Sequence, residues 1–579
     1  MLRSSVLIVL FLVCVACCVA QDAPLPPEQA AAHMTLPDGF RATLFAGEPD
    51  VVQPIAFTID DRGRLWVVES YTYPNWSRDG QGRDRILILE DRDGDGRFDQ
   101  RKVFWDRGVN LSGIQLGFGG VWLCSTPDFL FLPDRDSDDQ PDGPPEVLLD
   151  GWSLDAKHNV FNGLAWGPDG WLYGCNGITA TSLIGKPGSL DDDRVPFNCG
   201  VWRYHPTRHT FEVVANGTTN PWGLDFDEYG QMFITNCVIA HLWHVIPGAH
   251  FERMFGQDFN PHLFGLMQSC ADHIHWAGGA WQSSRGGEGA HGEAGGGHAH
   301  VGAMVYLGDN WPDEYRNTLL TCNLHGNRVN HDLLARHGSG YVARHGKDFM
   351  LANDTWFRGL ALQYGPDGGV YITDWSDTGE CHDYDEVHLA SGRIYKVRYK
   401  VGDQRSEVRS QRSEIGGQVD VKRMSDAELV ELQLHKNDWF VRHARRELQE
   451  RAAAGKLSGD VRPALLRMLE EHADVTRRLR ALWALHVTGG VDGPLLAELF
   501  DSPNEHLRGW AVQLELEDRA ASPQTLVKFA QIAANDPSPV VRLCLASGLQ
   551  RLAADARWPI AEGLVSHERG GYNFWHFVQ

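Results

Sequence analysis

Asp61-Arg62-Gly63-Arg64-Leu65-Trp66-Val67-Val68 decides the fold, because a polar glycine turn here feeds a short strand of large apolar residues. The phrase returns at Gly120-Val121-Trp122-Leu123, Gly167-Pro168-Asp169-Gly170-Trp171-Leu172-Tyr173, Glu228-Tyr229-Gly230-Gln231-Met232-Phe233-Ile234 and Gly365-Pro366-Asp367-Gly368-Gly369-Val370-Tyr371-Ile372. Its aromatic anchors Trp66, Trp122, Tyr173 and Phe233 stand 56, 51 and 60 residues apart. Short strands and glycine turns at this period are the mark of propeller blades, each a small sheet that buries its faces only against its neighbours. Phe233 and Tyr371 are 138 residues apart, room for two blades and an insertion, with Thr318-Leu319-Leu320-Thr321-Cys322 as the strand of the blade between. The count is six blades. A β-sandwich with irregular loops would not repeat the phrase.

Outward from the blades, the expected propeller covers residues 36–400, its closure ending at Gly392-Arg393-Ile394-Tyr395-Lys396-Val397. Residues 21–35 read as a flexible, Pro- and Ala-bearing leader and residues 401–421 as a polar linker. Beyond Met424 the hydrophobic period changes from 2 to about 3.6. Apolar-Arg-x-x-Ala-like segments recur around Arg442, Arg480, Arg508 and Arg542, spaced 38, 28 and 34 residues apart. That spacing suits two-helix repeats of HEAT type over residues 422–579. The expected fold class is thus a six-bladed β-propeller followed by an α-solenoid. The repeats stop at Phe577-Val578-Gln579 with no polar cap, so the expectation is that the sequence ends inside a longer protein.

Arg3, the apolar run Val6–Val19 and the small-residue site Cys18-Val19-Ala20 compose a secretory signal peptide over residues 1–20. The apolar run is shorter than the roughly 20 residues that span a bilayer. A periplasmic or secreted location follows, with membrane association as the alternative. The formal charge of −23 is concentrated in the front half: residues 401–579 hold 23 Lys+Arg against 25 Asp+Glu, leaving −21 for residues 1–400. An acidic propeller excludes nucleic acid, whose phosphates need a basic face. Eight cysteines remain after the signal, at spacings that define no disulfide framework. No Cys-x-x-Cys-His occurs, so this chain does not itself attach a c-type haem.

Two loops carry the pattern of hard-oxygen cation ligands. Asp91, Asp93, Asp95 and Asp99 stand at positions 1, 3, 5 and 9 of a loop with Gly96 at position 6, and Lys102 where an EF-hand has its final acid. Asp134, Asp136, Asp138 and Asp142 repeat the spacing without the central glycine. The expectation is structural Ca²⁺; the alternative is a pair of solvated Asp/Gly hairpins. From His250 to His300 runs an insertion containing His273-Ile274-His275-Trp276 and Gly297-His298-Ala299-His300. Histidines at this density ligate a transition metal, form the acceptor side of a redox site, or are the polar side chains of a lid. Glu380-Cys381-His382-Asp383 is a candidate to join such a site or a plain surface turn. His158, just before the innermost strand of a blade, points toward the tunnel, where a neutral imidazole acts as general base on an alcohol.

The segment His158-Asn159-Val160-Phe161-Asn162-Gly163-Leu164-Ala165-Trp166-Gly167-Pro168-Asp169-Gly170 resembles one blade of the soluble glucose/sorbosone dehydrogenases, six-bladed propellers that use pyrroloquinoline quinone (PQQ). The resemblance places His158 on their catalytic base. In that family an arginine precedes Asn-Pro-x-Gly-Leu, whereas here Thr219 precedes Asn220-Pro221-Trp222-Gly223-Leu224. Arg358, in Trp356-Phe357-Arg358-Gly359, and Arg328 are the candidates for positive charge at the tunnel mouth. Gly297-His298-Ala299-His300, Leu307-Gly308-Asp309-Asn310-Trp311-Pro312, Leu324-His325-Gly326-Asn327-Arg328 and Asp374-Trp375-Ser376-Asp377-Thr378-Gly379-Glu380-Cys381-His382-Asp383 together resemble the large Planctomycetes and Verrucomicrobia family described as membrane-bound dehydrogenases, from about Leu36 onward. That family joins such a propeller to HEAT repeats and a c-type haem module. The resemblance implies oxidation of a sugar or related alcohol, a quinone cofactor, and a cytochrome electron acceptor beyond residue 579 or on a partner. The alternatives are a non-catalytic carbohydrate- or protein-binding scaffold whose solenoid's concave face docks a protein partner, and a calcium-dependent hydrolase or lactonase.

Overall fold

The computed structural model describes residues 23–260, 263, 265–379, 388–400 and 419–567. The expected signal peptide, most of the linker, the Glu380-Cys381-His382-Asp383 segment and the last residues of the chain lie outside them.

Six antiparallel sheets follow one another along the chain, and the anchors of the sequence phrase form the second strand of each. Trp66 lies in Leu65–Glu69, Trp122 in Gly120–Ser125, Tyr173 in Leu172–Asn176, Phe233 in Met232–Thr235, Cys322 in Leu319–Asn323 and Tyr371 in Val370–Asp374. These strands are buried almost throughout, because both of their faces pack on neighbouring blades. Blade four has three strands, and blade three gains a parallel fifth, His250–Arg253, beside Thr210–Thr218. The ring closes where the N-terminal strand Phe40–Gly47 pairs antiparallel with Arg393–Tyr399 of blade six, from Phe40↔Tyr399 to Gly47↔Arg393.

The recurring turn has one physical cause. In blade one Asp60 Oδ1 accepts hydrogen bonds from the amides of Arg62 (3.0 Å) and Arg64 (2.8 Å), and in blade four Asp227 Oδ1 does the same for Tyr229 (2.9 Å) and Gln231 (2.8 Å). An Asp side chain thus ties the hairpin while the following glycine takes positive φ.

The helices from Asp426–Glu431 to Ala554–Val565 stack as successive pairs on this same end of the propeller. Four of them carry the repeated arginines, which satisfy loop carbonyls and carboxylates rather than face solvent. Arg480 donates to the carbonyl of His435 (2.8 Å), Arg508 pairs with both oxygens of Asp536 (2.7 and 2.8 Å), and Arg542 donates to the Asp536 carbonyl (2.6 Å). The helices rest directly on the blade turns. Trp510 Nε1 donates to the Tyr229 carbonyl (2.8 Å), Gln449 Nε2 to Gly170 (3.1 Å) and Ser547 Oγ to Pro247 (2.5 Å). A Cβ on Gly230 would stand 2.5 Å from Trp510, and one on Gly170 2.6 Å from Gln449. These two glycines therefore serve the turn and the close approach of the helices at once. Along these contacts the helices are covered by the chain's own propeller. None of the seven described cysteines forms a disulfide, and no described helix is long and apolar enough to cross a membrane.

Candidate functional site

The tunnel is divided in two. Its lower space, about 1140 Å³, is lined by the innermost strands of the blades and floored by Trp439, Arg442, His443 and Arg446 of the helix Asp438–Ala453. Ile55, Trp222 and Leu360 line this space and the upper one, and so form the waist between them. The upper space, about 860 Å³, opens at the end away from the helices.

His158 lines this tunnel mouth, as its position before the innermost strand Asn162–Trp166 implied. The local chain presents it: Lys157 takes φ 55°, ψ −119°, and its carbonyl accepts from Trp76 Nε1 at 2.6 Å. Tyr73, Trp76, Trp222 and Trp375 give the mouth aromatic walls, with Tyr73 centred 5.4 Å from Trp76 and 5.7 Å from Trp375. His325, Arg358, Asp377 and Asn220 are its polar members. Asn220 Oδ1 is buried and has no hydrogen-bond partner among the described residues. Asp377 is committed to the backbone, accepting from the amides of Thr378 (2.7 Å), Gly379 (3.0 Å) and His388 (3.1 Å).

Arg358 reaches the mouth, but its guanidinium donates to the carbonyls of Thr355 (2.8 Å), Phe357 (3.0 Å), Thr378 (3.0 Å) and Gly379 (3.3 Å). Arg328 does not line the pocket. It is held outside by Asp348 (2.8 Å) and the carbonyls of Gly292 and Gly326, so its expected place at the tunnel mouth is corrected. Thr219 is buried beneath the mouth, its amide donating to Asn236 Oδ1 (3.0 Å). Of the described lining residues Arg358 is the one permanent cation. A tricarboxylate such as PQQ needs several, since a buried unpaired charge is costly. The aromatic walls suit a flat ring system; the charge of this mouth does not fit PQQ.

The two acidic loops lie at the helix-bearing end. Asp91, Asp93 and Asp99 come together in the first, and Asp134, Asp136 and Asp138 in the second, each trio with ligand oxygens within 4.8 Å. Asp95 turns away to accept from the Arg97 amide (2.8 Å), and Asp142 accepts from the Arg135 amide (2.7 Å). Positive charge already stands beside both: Lys396 Nζ lies 3.8 Å from Asp91, and Lys422 bonds Ser137 in the second loop (3.4 Å). Burial, then Asp139, pushes the Asp134 carboxyl up to about 6.

The insertion splits. His298 packs its ring on His325 at 4.4 Å and lies 2.7 Å from Ser284 Oγ, while His273, His275 and His300 turn outward into a second cluster. That cluster includes His241 and Asp332, which the sequence reading missed. Neither carries a local signal: His241 ends a loop before Leu242–Val245, and Asp332 sits inside the strand Arg328–His337. Burial drives the His275 imidazole down to about 3 and holds His300 well below the usual imidazole range, whereas the surrounding imidazoles hold Asp332 well below the usual carboxylate range against the opposing effect of burial.

These features define a six-bladed propeller with an aromatic-walled tunnel mouth, seated on a helical repeat array. Residues 26–401 match a family described as a domain of unknown function (DUF7133), and the chain belongs to that family. No curated protein matches the chain. Solved structures with a similar trace include the PQQ-bound aldose sugar dehydrogenase of Streptomyces coelicolor (16% identity, 63% of this chain and 99% of that one, TM-score 0.40). Two others are the apo form of the soluble aldose sugar dehydrogenase of Escherichia coli (13%, 62% and 99%, TM-score 0.37) and a gluconolactonase of Xanthomonas campestris (11%, 66% and 96%, TM-score 0.31).

Proposed function

We propose that the tunnel mouth binds a sugar or related alcohol and that His158 is the base for oxidation of one of its hydroxyls. The observation that carries this reading is the pairing of His158 with aromatic walls and the unpartnered acceptor of Asn220. Aromatic faces cover the C–H face of a sugar ring, and a buried lone acceptor gains most from a ligand hydroxyl. His158 takes the hydroxyl proton, the carbinol hydride leaves with its electron pair to a flat organic oxidant, and a carbonyl remains. The mouth suits an oxidant with fewer negative charges than PQQ. Arg358, held on four carbonyls, contributes positive charge at the mouth from the last blade. The Arg3-led apolar segment supports export, and a c-type cytochrome partner is the onward acceptor that the sequence resemblance implies.

The test is dye-linked oxidation over a panel of sugars and alcohols, with quinones of differing charge supplied. His158→Ala is expected to lower turnover about 10²- to 10⁴-fold with substrate affinity kept, as for loss of a general base. Full turnover in that variant would remove His158 from the chemistry. Thr219, standing where a cation would meet an anionic cofactor, favours a second reading in which the mouth binds carbohydrate without oxidising it. Calorimetric sugar binding with no dye reduction by any panel member would decide for that reading.

A further inference from the structure

Away from the tunnel, His241 from blade four, His273 and His275 from the insertion, and Asp332 from blade five converge with one ligand atom each, all within 4.8 Å of one another. His241 Nε2 lies 2.9 Å and His273 Nε2 3.3 Å from Asp332 Oδ1, and His275 Nε2 lies 3.5 Å from Asp332 Oδ2. The Nε2 atoms of His273 and His275 face each other at 3.3 Å. His241, His275 and Asp332 are at most 1% exposed, while 17% of the His273 side chain meets solvent.

Hydrogen bonding alone serves this arrangement poorly. Three imidazole nitrogens share one carboxylate, two of them point at each other, and Asp332 Oδ2 finds no hydrogen-bond partner among the described residues. Groups buried this deeply are ordinarily satisfied. A cation at the point of convergence would take all three nitrogens and the carboxylate as ligands. A carboxylate also stands behind one imidazole: Asp272 Oδ1 is 2.9 Å from His273 Nδ1, the contact that fixes a metal-binding histidine with its Nε2 lone pair free.

We propose that His241, His273, His275 and Asp332 form a binding site for one divalent first-row transition-metal ion. Three imidazoles and one carboxylate are the donors of Zn²⁺, Fe²⁺, Co²⁺ or Cu²⁺, whereas Ca²⁺ and Mg²⁺ take oxygen. The ion would cross-link the insertion to two blades. It also stands one strand behind the tunnel mouth: His300 packs on His241 and His275 at 5.0 and 5.1 Å, and the next residue, Val301, lines the mouth.

The full chain is stripped with chelator, dialysed and titrated with Co²⁺ alone, followed by the visible d–d absorption, and separately with Zn²⁺, followed by elemental analysis after gel filtration. One equivalent of either ion, with the Co²⁺ band of a four- or five-coordinate nitrogen/oxygen site, is expected. Asp332→Asn and His275→Ala should lose both. Because those two positions are buried, His273→Ala, at the partly exposed edge, is the variant that keeps the fold, checked by circular dichroism, and it too should lose the band. Asp272→Asn should weaken the ion by about 10- to 100-fold. Wild-type protein that stays metal-free, or a Co²⁺ band unchanged in folded His273→Ala, would overturn the site and leave a buried hydrogen-bond cluster. Neither result bears on His158, which is read by dye reduction.

Discussion

At Asp227 the hairpin of blade four buries a carboxyl whose oxygens are both engaged, one by the amides of Tyr229 and Gln231 and the other by the Tyr341 hydroxyl at 2.9 Å. Burial pushes it up to about 7, outweighing hydrogen bonds that favour its charge. The folded chain therefore holds a proton there that the unfolded chain gives up near pH 4. This group's contribution to stability is complete below about pH 4 and is lost as pH rises through about 7. Asp227→Asn keeps an acceptor for the two amides and a polar group for Tyr341. It is expected to flatten the fall in melting temperature between pH 5 and pH 8, measured by calorimetry; an unchanged slope would show that Asp227 is charged in the fold. Gly230, three residues on, needs positive φ for the same turn and has no room for a side chain under Trp510.

Among the elements, the helix Asp438–Ala453 does most to join the two halves. Its N-cap Asn437 accepts from the Trp439 amide (3.0 Å), and its Nδ2 donates to Asp309 Oδ1 (3.0 Å) and the Gly365 carbonyl (3.0 Å) in the propeller. Asn437 is completely buried, so removing its amide strips a cap and orphans buried acceptors together. Asn437→Ala is expected to cost about 2–4 kcal/mol in denaturant unfolding. Ser425, which caps the helix Asp426–Glu431 with a capping box reciprocated by Glu428 in an exposed position, is the control, at about 1 kcal/mol for Ser425→Ala. Equal losses would mean that the contacts of Asn437 with the propeller contribute nothing.

For the whole molecule the decisive feature is that the solenoid floors the tunnel and is held there by buried charge. Asp61, in the first turn of the propeller, contacts Arg446 and lies 2.8 Å from His443 Nδ1. Burial opposes its charge, yet Arg446 and His443 hold its carboxyl well below the usual carboxylate range. Glu212, bound by Arg203 and by Arg551 of the helical part, is likewise pulled down to about 2 against the cost of burial. These groups add stability that is present above about pH 4 and lost as pH falls through their folded values, the reverse of Asp227. Acidification from about pH 4 to pH 2 should therefore loosen the join first, splitting one calorimetric transition into two. Asp61→Ala, which leaves buried Arg446 with Glu450 at 3.4 Å as its remaining carboxylate, should do so at neutral pH and cost about 3–5 kcal/mol. A single unshifted transition in that variant would show that the two halves are coupled by apolar contact alone.

The sequence by itself determined the six blades, the helical repeats and His158 at the tunnel mouth, because each rests on local spacing: an Asp-Gly turn, a period of 2 or 3.6, a residue just before an inner strand. It also marked His273 and His275, through their density on one segment. Tertiary structure alone decided that Arg328 belongs to Asp348, that the N-terminal strand completes blade six, and that a helix lines the lower space of the tunnel. It alone brought His241 to Asp332 across 91 residues. A ligand set drawn from two blades and an insertion leaves no spacing to read, since its atoms become neighbours only once the ring has closed.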